Sequence, residues 1–391
     1  MKKILIFSTL TYLFLTINSS AATQSSNAIS LKNEKILKIG VLLPLTGKFQ
    51  DIGESFLKAI QLALQDIENK NIKIFLKDSG GNALGAYQAS KEFQDKGIKI
   101  VIGPIFYESL ERLSEINDIT FISFTNKTEK IPENTIAFGI NIISQIDVLK
   151  KYFIERDFSK TILLSPKNDF VQQAKIIKDK QLKLHNFFLY DMSPKKITSE
   201  IEKLTKYQER KNKLKKKVNI LKESDLYKDK QELKILEQKH TLGKVNFDSV
   251  VIVDFGERLK SVLTSFMFAD VSSSEVNFFT LNQWFDESFF NESALQNLYF
   301  PSIDLKNYKK FNKKYSKTFN KSPNKVSILA YDALGLIYYC WASNNFQFKK
   351  EQLFNTKGFR GLHGQFTIAN NRSNQKLKIY KVYEKKFIKV Y

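Results

Sequence analysis

The chain has 391 residues, 42% of them hydrophobic, which suffices for two lobes of ordinary size and excludes a disordered chain. Its formal net charge of +22 invites nucleic-acid binding. An amino-terminal export pattern argues against that partner and points to anionic groups of the cell envelope, lipid head groups or an acidic protein. A single cysteine, Cys340, excludes an intramolecular disulfide.

Met1-Lys2-Lys3 is a basic start, Ile4–Ile17 an apolar run, and Asn18-Ser19-Ser20-Ala21-Ala22 a set of small residues. The run is shorter than the roughly 20 residues that span a bilayer, so a cleaved signal peptide over 1–22 is expected rather than a membrane anchor. No cysteine follows the run, so lipid anchoring is not expected. Residues 23–35 are polar and without period, as in a flexible mature amino terminus.

Ile36–Pro104 then sets the architecture. An apolar strand (Ile36–Leu43) enters a loop (Pro44–Gly47). A helix follows with Phe56, Ile60, Ala63, Leu64 and Ile67 on one face. A second strand (Ile72–Leu76) ends at Asp78, and a second helix leads to a strand at Ile98–Ile102 closed by Gly103-Pro104. Such alternation makes parallel βαβ units, whose ligands sit beyond the carboxyl ends of the strands. Glu108–Asn117 reads as a helix, Ile119–Phe124 as a buried strand, and Thr135–Ile140 as a short strand where the chain crosses over.

The pattern then restarts. Ile146–Arg156 is helical, Thr161–Leu164 a strand, Phe170–Leu184 a helix, Asn186–Tyr190 a strand, and Ile197–Leu204 begins a helix. Ser249–Val253 is a strand ending at Asp254, with a helix at Leu259–Ala269 and another strand at Asn277–Leu281. The interval Glu200–Gly243 breaks the rhythm. Ile201, Leu204, Leu214, Val218 and Leu221, then Leu226, Leu233, Leu236 and His240, fall near heptad spacing, and Lys and Arg outnumber Asp and Glu by roughly two to one. This predicts a helical hairpin with Glu223-Ser224-Asp225 capping its second arm. It either props its own lobe or docks a partner. Further on, Leu298–Pro301 is extended, Asp304–Phe319 is a basic amphipathic helix, and Lys325–Ala342 is a buried helix carrying Asp332. Lys376–Tyr391 alternates as a hairpin turning at Glu384-Lys385-Lys386.

No catalytic pattern emerges. Gly47-Lys48 lacks the flanking residues of a phosphate loop, and Gly80-Gly81-Asn82-Ala83-Leu84-Gly85 lacks dinucleotide spacing. His185, His240 and His363 lie in separate elements without ligand spacing, no GxSxG occurs, and Cys340 sits in an apolar helix. No enzyme activity, cofactor or metal is expected.

The segments KIGVLLPLTGKFQDIGESFLKAIQLALQDI, IFLKDSGG and IKIVIGP resemble the start of type I periplasmic binding proteins, the group that includes branched-chain amino-acid receptors of ABC transporters. The helical insertion followed by LGKVNFDSVVIVDFGERL, FFTLNQWFD and FNKKYSKTFNKSPNKVSILAYDAL is similar to the penicillin-binding protein activator family. The resemblance implies an α/β fold of two Rossmann-like lobes joined by a three-segment hinge, with the helical hairpin in the second lobe. It implies lobe one over 36–140 and 301–361, and lobe two over 141–300 and 362–391, the latter containing 200–243.

Carried over by position, the interlobe cleft would be walled by Tyr107, Glu108, Thr125 and Asn126 from lobe one and by Phe170, Asp254 and Asn282 from lobe two. In the amino-acid receptors, small and hydroxyl residues hold the ligand's carboxylate and an acid of lobe two holds its amine. Here Phe106-Tyr107-Glu108 replaces the former and Asn282 the latter, and a carboxylate cradle beside Glu108 is electrostatically wrong. The resemblance therefore implies a non-catalytic regulator in the periplasm of a Gram-negative cell, with a penicillin-binding protein or another envelope protein as partner. The alternative is a solute receptor for an amino-acid-like, amide or peptide ligand.

Overall fold

The computed structural model describes Lys35–Tyr391, apart from residues 168–174, 178–181, 183, 192 and 282. The expected signal peptide, all but the last residue of the polar amino terminus, and most of the helix expected over Phe170–Leu184 lie outside the described residues.

Two sheets carry the chain. The first has a parallel centre of β1 (Leu37–Leu43), β2 (Ile72–Asp78), β3 (Ile100–Ile102), β4 (Thr120–Ser123) and β5 (Thr135–Ala137), in the order β2-β1-β3-β4-β5. Ile39 stands opposite Ile74 on one side and Ile100 on the other. Apolar side chains on both faces of β1 are buried, Val41 and Leu43 against one core and Leu42 against another, as parallel strands covered by crossover helices require. Helix α1 (Gln50–Ile67) buries Phe56, Ala59, Ile60, Leu62 and Ala63, close to the stripe read from the sequence. The second sheet repeats the plan: β6 (Thr161–Pro166), β7 (Leu184–Tyr190), β8 (Ser249–Ile252), β9 (Asn277–Thr280) and β10 (Tyr299–Ser302) run parallel in the order β7-β6-β8-β9-β10. The carboxy-terminal hairpin, β14 (Lys378–Tyr383) and β15 (Lys386–Lys389), extends it antiparallel, turning at Glu384 and Lys385, both with positive φ.

The first sheet also takes three later strands, β11 (Phe359–Arg360), β12 (Gln365–Ala369) and β13 (Arg372–Gln375), with β13 beside β5. The boundary expected at 361/362 is therefore corrected: the third crossing between lobes runs at Lys376-Leu377. Gly361–Gly364 is the turn from β11 to β12 and not a change of lobe. Its position is fixed by Asp332 of α9 (Ile328–Ala342). That buried carboxylate accepts the N–H of Leu362 and of His363, each at 2.7 Å, and faces the His363 ring nitrogen Nδ1 at 2.5 Å.

The crossings are tied to one another by buried polar groups. Asn141 caps α3 (Ile142–Glu155) by accepting the Ser144 N–H, and its amide donates to the Ser373 carbonyl at 2.6 Å. The Ser144 hydroxyl donates to Gln375 Oε1 at 2.9 Å and accepts the Gln375 N–H at 3.0 Å. The Gln375 amide donates to the carbonyls of Phe138 and Gly139 and to the Ser373 hydroxyl. The second crossing joins through Asp304, which caps α8 (Leu305–Phe319) and pairs with Lys378, while the Tyr380 hydroxyl accepts the Leu305 N–H at 2.8 Å.

Glu108–Asn117, expected as a helix, is instead two 3-10 turns, Tyr107–Leu110 and Leu113–Glu115. The Asn134 amide takes the carbonyls of Leu113 and Ile116, both at 2.7 Å, which a continuing helix would have used itself. The interval 200–243 holds the end of α4 (Pro194–Leu204), then α5 (Tyr207–Lys222) and α6 (Tyr227–Leu236), packed through Leu214, Leu221 and Leu236 with Val218, Leu233 and Leu242. Leu226, expected in the apolar stripe, is exposed. Ser224 accepts the Leu226 N–H, and no side chain caps α6. Arg210 bolts the pair to its lobe: its buried guanidinium donates to the carbonyls of Thr205, Ala269 and Asp270 and to the Thr241 hydroxyl.

Asp304 gives the hinge a pH dependence. Burial would raise its carboxyl, but the hydrogen bonds from Lys378, Asn307 and Lys306 outweigh burial and hold it below the ordinary carboxylate value. A lowered carboxyl contributes stability in full above its unfolded value, about pH 4, and loses it as pH falls through the folded value. Urea unfolding at stepped pH should show Asp304→Asn less stable than the parent at neutral pH, the two converging well below pH ~4.

Candidate functional site: the interlobe cleft

The carboxyl ends of the strands in both sheets face a cavity of about 340 Å³ between the lobes. The first lobe lines it with Ile105–Glu108 after β3, Phe124–Lys127 after β4, Gly139-Ile140 after β5, and Phe56, Val326 and Leu329. Gln145 of α3 enters from the hinge. Gln283 and Trp284 after β9, and Pro301 and Ser302 of β10, come from the second lobe. The structure thus brings Tyr107, Glu108, Thr125 and Asn126 together on one wall. Phe170 and Asn282 lie outside the described residues.

Asp254 does not line this cavity. Its buried carboxylate accepts the Tyr190 hydroxyl at 2.5 Å, its own neighbour's N–H at Phe255, and the Arg258 Nε at 3.0 Å. Burial pushes the Tyr190 hydroxyl far up, and the hydrogen bond to Asp254 adds to it, so Tyr190 stays a neutral donor. Asp254 therefore holds β7 to β8 rather than a ligand, although its carbonyl accepts from Gln283 and shapes the cleft from behind.

The loops of the first wall are locally braced. Asp78 at the end of β2 accepts the Leu45 N–H and the Thr46 hydroxyl, locking the β1–α1 loop. Burial would raise its carboxyl, but Thr46 and the N–H groups of Gly80, Leu45 and Thr46 hold it lowered and charged. Ser123 donates to the Pro104 carbonyl, and Thr125 Oγ1 accepts the Lys127 N–H at 3.2 Å, so part of the Thr125 hydroxyl is already used. Gly139 is required where the first crossing passes this loop: a Cβ there would lie 2.4 Å from the Thr125 carbonyl oxygen.

Among the described residues lining the cavity, the single carboxylate is Glu108 and the single cation Lys127. The rest of its polarity is neutral: Thr125, Asn126, Gln145, Gln283, Ser302 and Tyr107. Ser302 Oγ is buried without a hydrogen-bond partner. Such a cavity can hold a small polar molecule through amides and hydroxyls. It offers no second-lobe acid, among the described residues, to an ammonium group. The reading from sequence missed Gln145, Gln283, Trp284 and Ser302. The last three stand at the carboxyl ends of β9 and β10, so applying the strand-end rule to the second lobe would have found them. Gln145 carried no such signal. No group of three or more His, Cys, Asp or Glu among the described residues could hold a metal ion, and no described helix is long and apolar enough to cross a membrane.

Asp254→Ala should cost about 2–4 kcal/mol in denaturant unfolding, because it strands the buried Tyr190 hydroxyl. Asp254→Asn, which keeps an acceptor, should cost less.

The family model for periplasmic binding proteins matches residues 36–175. A curated relative, an uncharacterised protein of Rickettsia prowazekii, is 21% identical over 210 residues, an alignment spanning 52% of this chain and 56% of the relative. The chain therefore spans a little over half the length of that relative. Among solved structures, a putative branched-chain amino acid ABC transporter protein from Rhodospirillum rubrum covers 91% of this chain and all of its own, with TM-score 0.68 and 15% identity. The C-domain of LpoA from Haemophilus influenzae, a regulator of PBP1A, covers 90% of this chain and all of its own, with TM-score 0.61 and 15% identity. The isoleucine-bound branched-chain amino acid binding protein LivJ from Streptococcus pneumoniae covers 91% and 100%, with TM-score 0.56 and 16% identity. At these identities the likeness establishes the fold alone: two α/β lobes on a triple crossing with a cavity between them, the architecture of the type I periplasmic binding proteins compared.

Proposed function

We propose that the chain is a non-catalytic, exported regulator that acts by engaging a protein of the cell envelope, a penicillin-binding protein in peptidoglycan synthesis. The observation that carries this reading is the cleft. Glu108 stands on the wall where a carboxylate cradle would be, no described second-lobe acid reaches the cavity, and Asp254 is bound to Tyr190 and Arg258. The carboxylate of an α-amino acid would meet Glu108 as well as Lys127 on that wall, and its ammonium would find no acid among the described second-lobe residues. Two structural neighbours point opposite ways, one a regulator of PBP1A and one an isoleucine-bound binding protein, and the cleft chemistry favours the first. A hinged body can regulate a partner by offering it a surface whose shape depends on the angle between lobes.

The test is reconstitution. The purified chain should retain the penicillin-binding protein of the same cell on a column and raise its glycan polymerisation in a saturable way. Failure of retention and of stimulation together would overturn the reading.

A second reading has its own observation in favour. The neutral amide and hydroxyl lining, with Ser302 Oγ unpartnered, suits an uncharged amide or short peptide as the ligand of a transport receptor. A saturable thermal shift with such a compound, lost in Asn126→Ala, would favour it. No shift across amides, amino acids and short peptides would count against it.

A further inference from the structure

A second cavity, of about 590 Å³, lies in the second lobe and shares no lining residue with the interlobe cleft. It follows from how α4 sits. That helix leans on α7 (Gly256–Phe268), where the Thr198 and Ser265 hydroxyls lie 3.2 Å apart, and a trough is left beside the edge strand β7. Ile162 stands opposite Asn186 and Leu164 opposite Phe188, so these four share the face that lines the trough. Ile201 and Leu204 of α4 and Phe247 before β8 close its sides. From Asn186 to Tyr190 the trough runs for roughly 13 Å at the rise of a strand.

The rim at the foot of the helical hairpin is basic. Lys203, Lys206, Arg210, Lys213 and Lys244 line the cavity against two acids, Glu200 and Glu209. Both acids are matched. Glu209 pairs with Lys206 at 4.0 Å, and Glu200 pairs with Lys167 at 3.6 Å and accepts the Asp191 N–H at 2.8 Å. Arg210 spends its donors on Thr205, Thr241, Ala269 and Asp270, and Asp270 offsets part of its charge through Thr241. Lys203, Lys213 and Lys244 are exposed and make no ion pair among the described residues. The Leu242 N–H on the Arg210 carbonyl brings the segment of Lys244 beside the arm that carries Lys213. An apolar trough therefore opens at one end onto ammonium groups without a counter-charge.

The geometry points to a binding site for an anionic amphiphile, a single apolar chain lying along β7 and ending in a carboxylate or phosphate at Lys213 and Lys244. An apolar chain gains by leaving water over Phe188, Ile201 and Leu204, and the cavity has the size of sites that enclose small ligands. The head group finds its counter-charge in the lysines, whose stems lie along apolar surface while the ammonium reaches outward. A cationic amphiphile would share the trough and be repelled at the rim. A small anion without a chain would have little to hold it, since no buried unpartnered donor lines the cavity among the described residues. The proposal depends neither on the partner of the chain nor on what the cleft holds.

Residues Lys35–Tyr391 form a compact unit by themselves and are the protein to test, free of the apolar Ile4–Ile17. In calorimetric titrations below micelle formation, dodecanoate or dodecyl phosphate should bind saturably at one site, the tighter of the two identifying the head group. Affinity should rise about threefold per methylene from octyl to dodecyl chains. Dodecyltrimethylammonium should bind about tenfold more weakly than the preferred anion. Lys213→Glu/Lys244→Glu, altered only at exposed positions, should weaken the anion by about tenfold or more. Asn186→Trp, which fills the trough from an exposed position, should abolish binding, and both variants should melt as the parent does. No saturable binding of either anion, or equal binding of the cationic amphiphile, would overturn the proposal. So would binding that either variant retains at parental strength, since that would place the ligand elsewhere, as in the cleft.

Discussion

A small buried set of amides and hydroxyls, Asn141, Ser144, Ser373 and Gln375, governs how the two lobes meet. Two chain segments far apart in sequence pass each other here, with these polar groups buried among core side chains such as Phe138, Ile142 and Leu377. Each polar group taken from water must find a partner or cost a large part of a hydrogen bond. The geometry that satisfies them all is narrow. Gln375 has to face the carbonyls of Phe138 and Gly139, and Asn141 has to face Ser373 while capping α3. Asp304 and Tyr380 extend the same logic to the second crossing.

That constraint places the carboxyl ends of both sheets opposite one another, and the cavity follows from it. What fills the cavity wall is then a matter of loop residues. Gln145, inside the hinge, contributes to the same wall, so hinge and cleft share a side chain. The cleft polarity is mostly neutral among the described residues, and Asp254, expected on its second-lobe wall, instead accepts from Tyr190 and Arg258. Among the described residues the second lobe brings no acid to the cavity, and the proposed regulatory role rests on that lining.

Much of this architecture is legible in the amino-acid sequence, because parallel strands buried on both faces must be apolar runs and their crossovers must be helices. The parallel strands from Leu37 to Thr280 follow from that pattern, and the carboxy-terminal hairpin follows from its alternation. The lobe boundary near residue 362 does not. That boundary comes from the resemblance, and nothing local shows that Asp332, some thirty residues earlier, holds the Leu362 and His363 amides in the first lobe. The 3-10 turns after Tyr107 escape for the same reason, since Asn134 takes their carbonyls from a distance. At the site, a loop position could be read but not its allegiance: Tyr107, Glu108, Thr125 and Asn126 reach the cavity, while Asp254 is drawn away by Tyr190 at the end of β7, two strands across the sheet.

The most direct test of the central claim is a crystal structure of Lys35–Tyr391 grown with saturating leucine and isoleucine. The account predicts Gln375 on the Phe138 and Gly139 carbonyls, Asp254 on Tyr190 and Arg258, and no amino acid between the lobes. An amino acid bound in the cleft, with Asp254 turned onto its ammonium group, would contradict it.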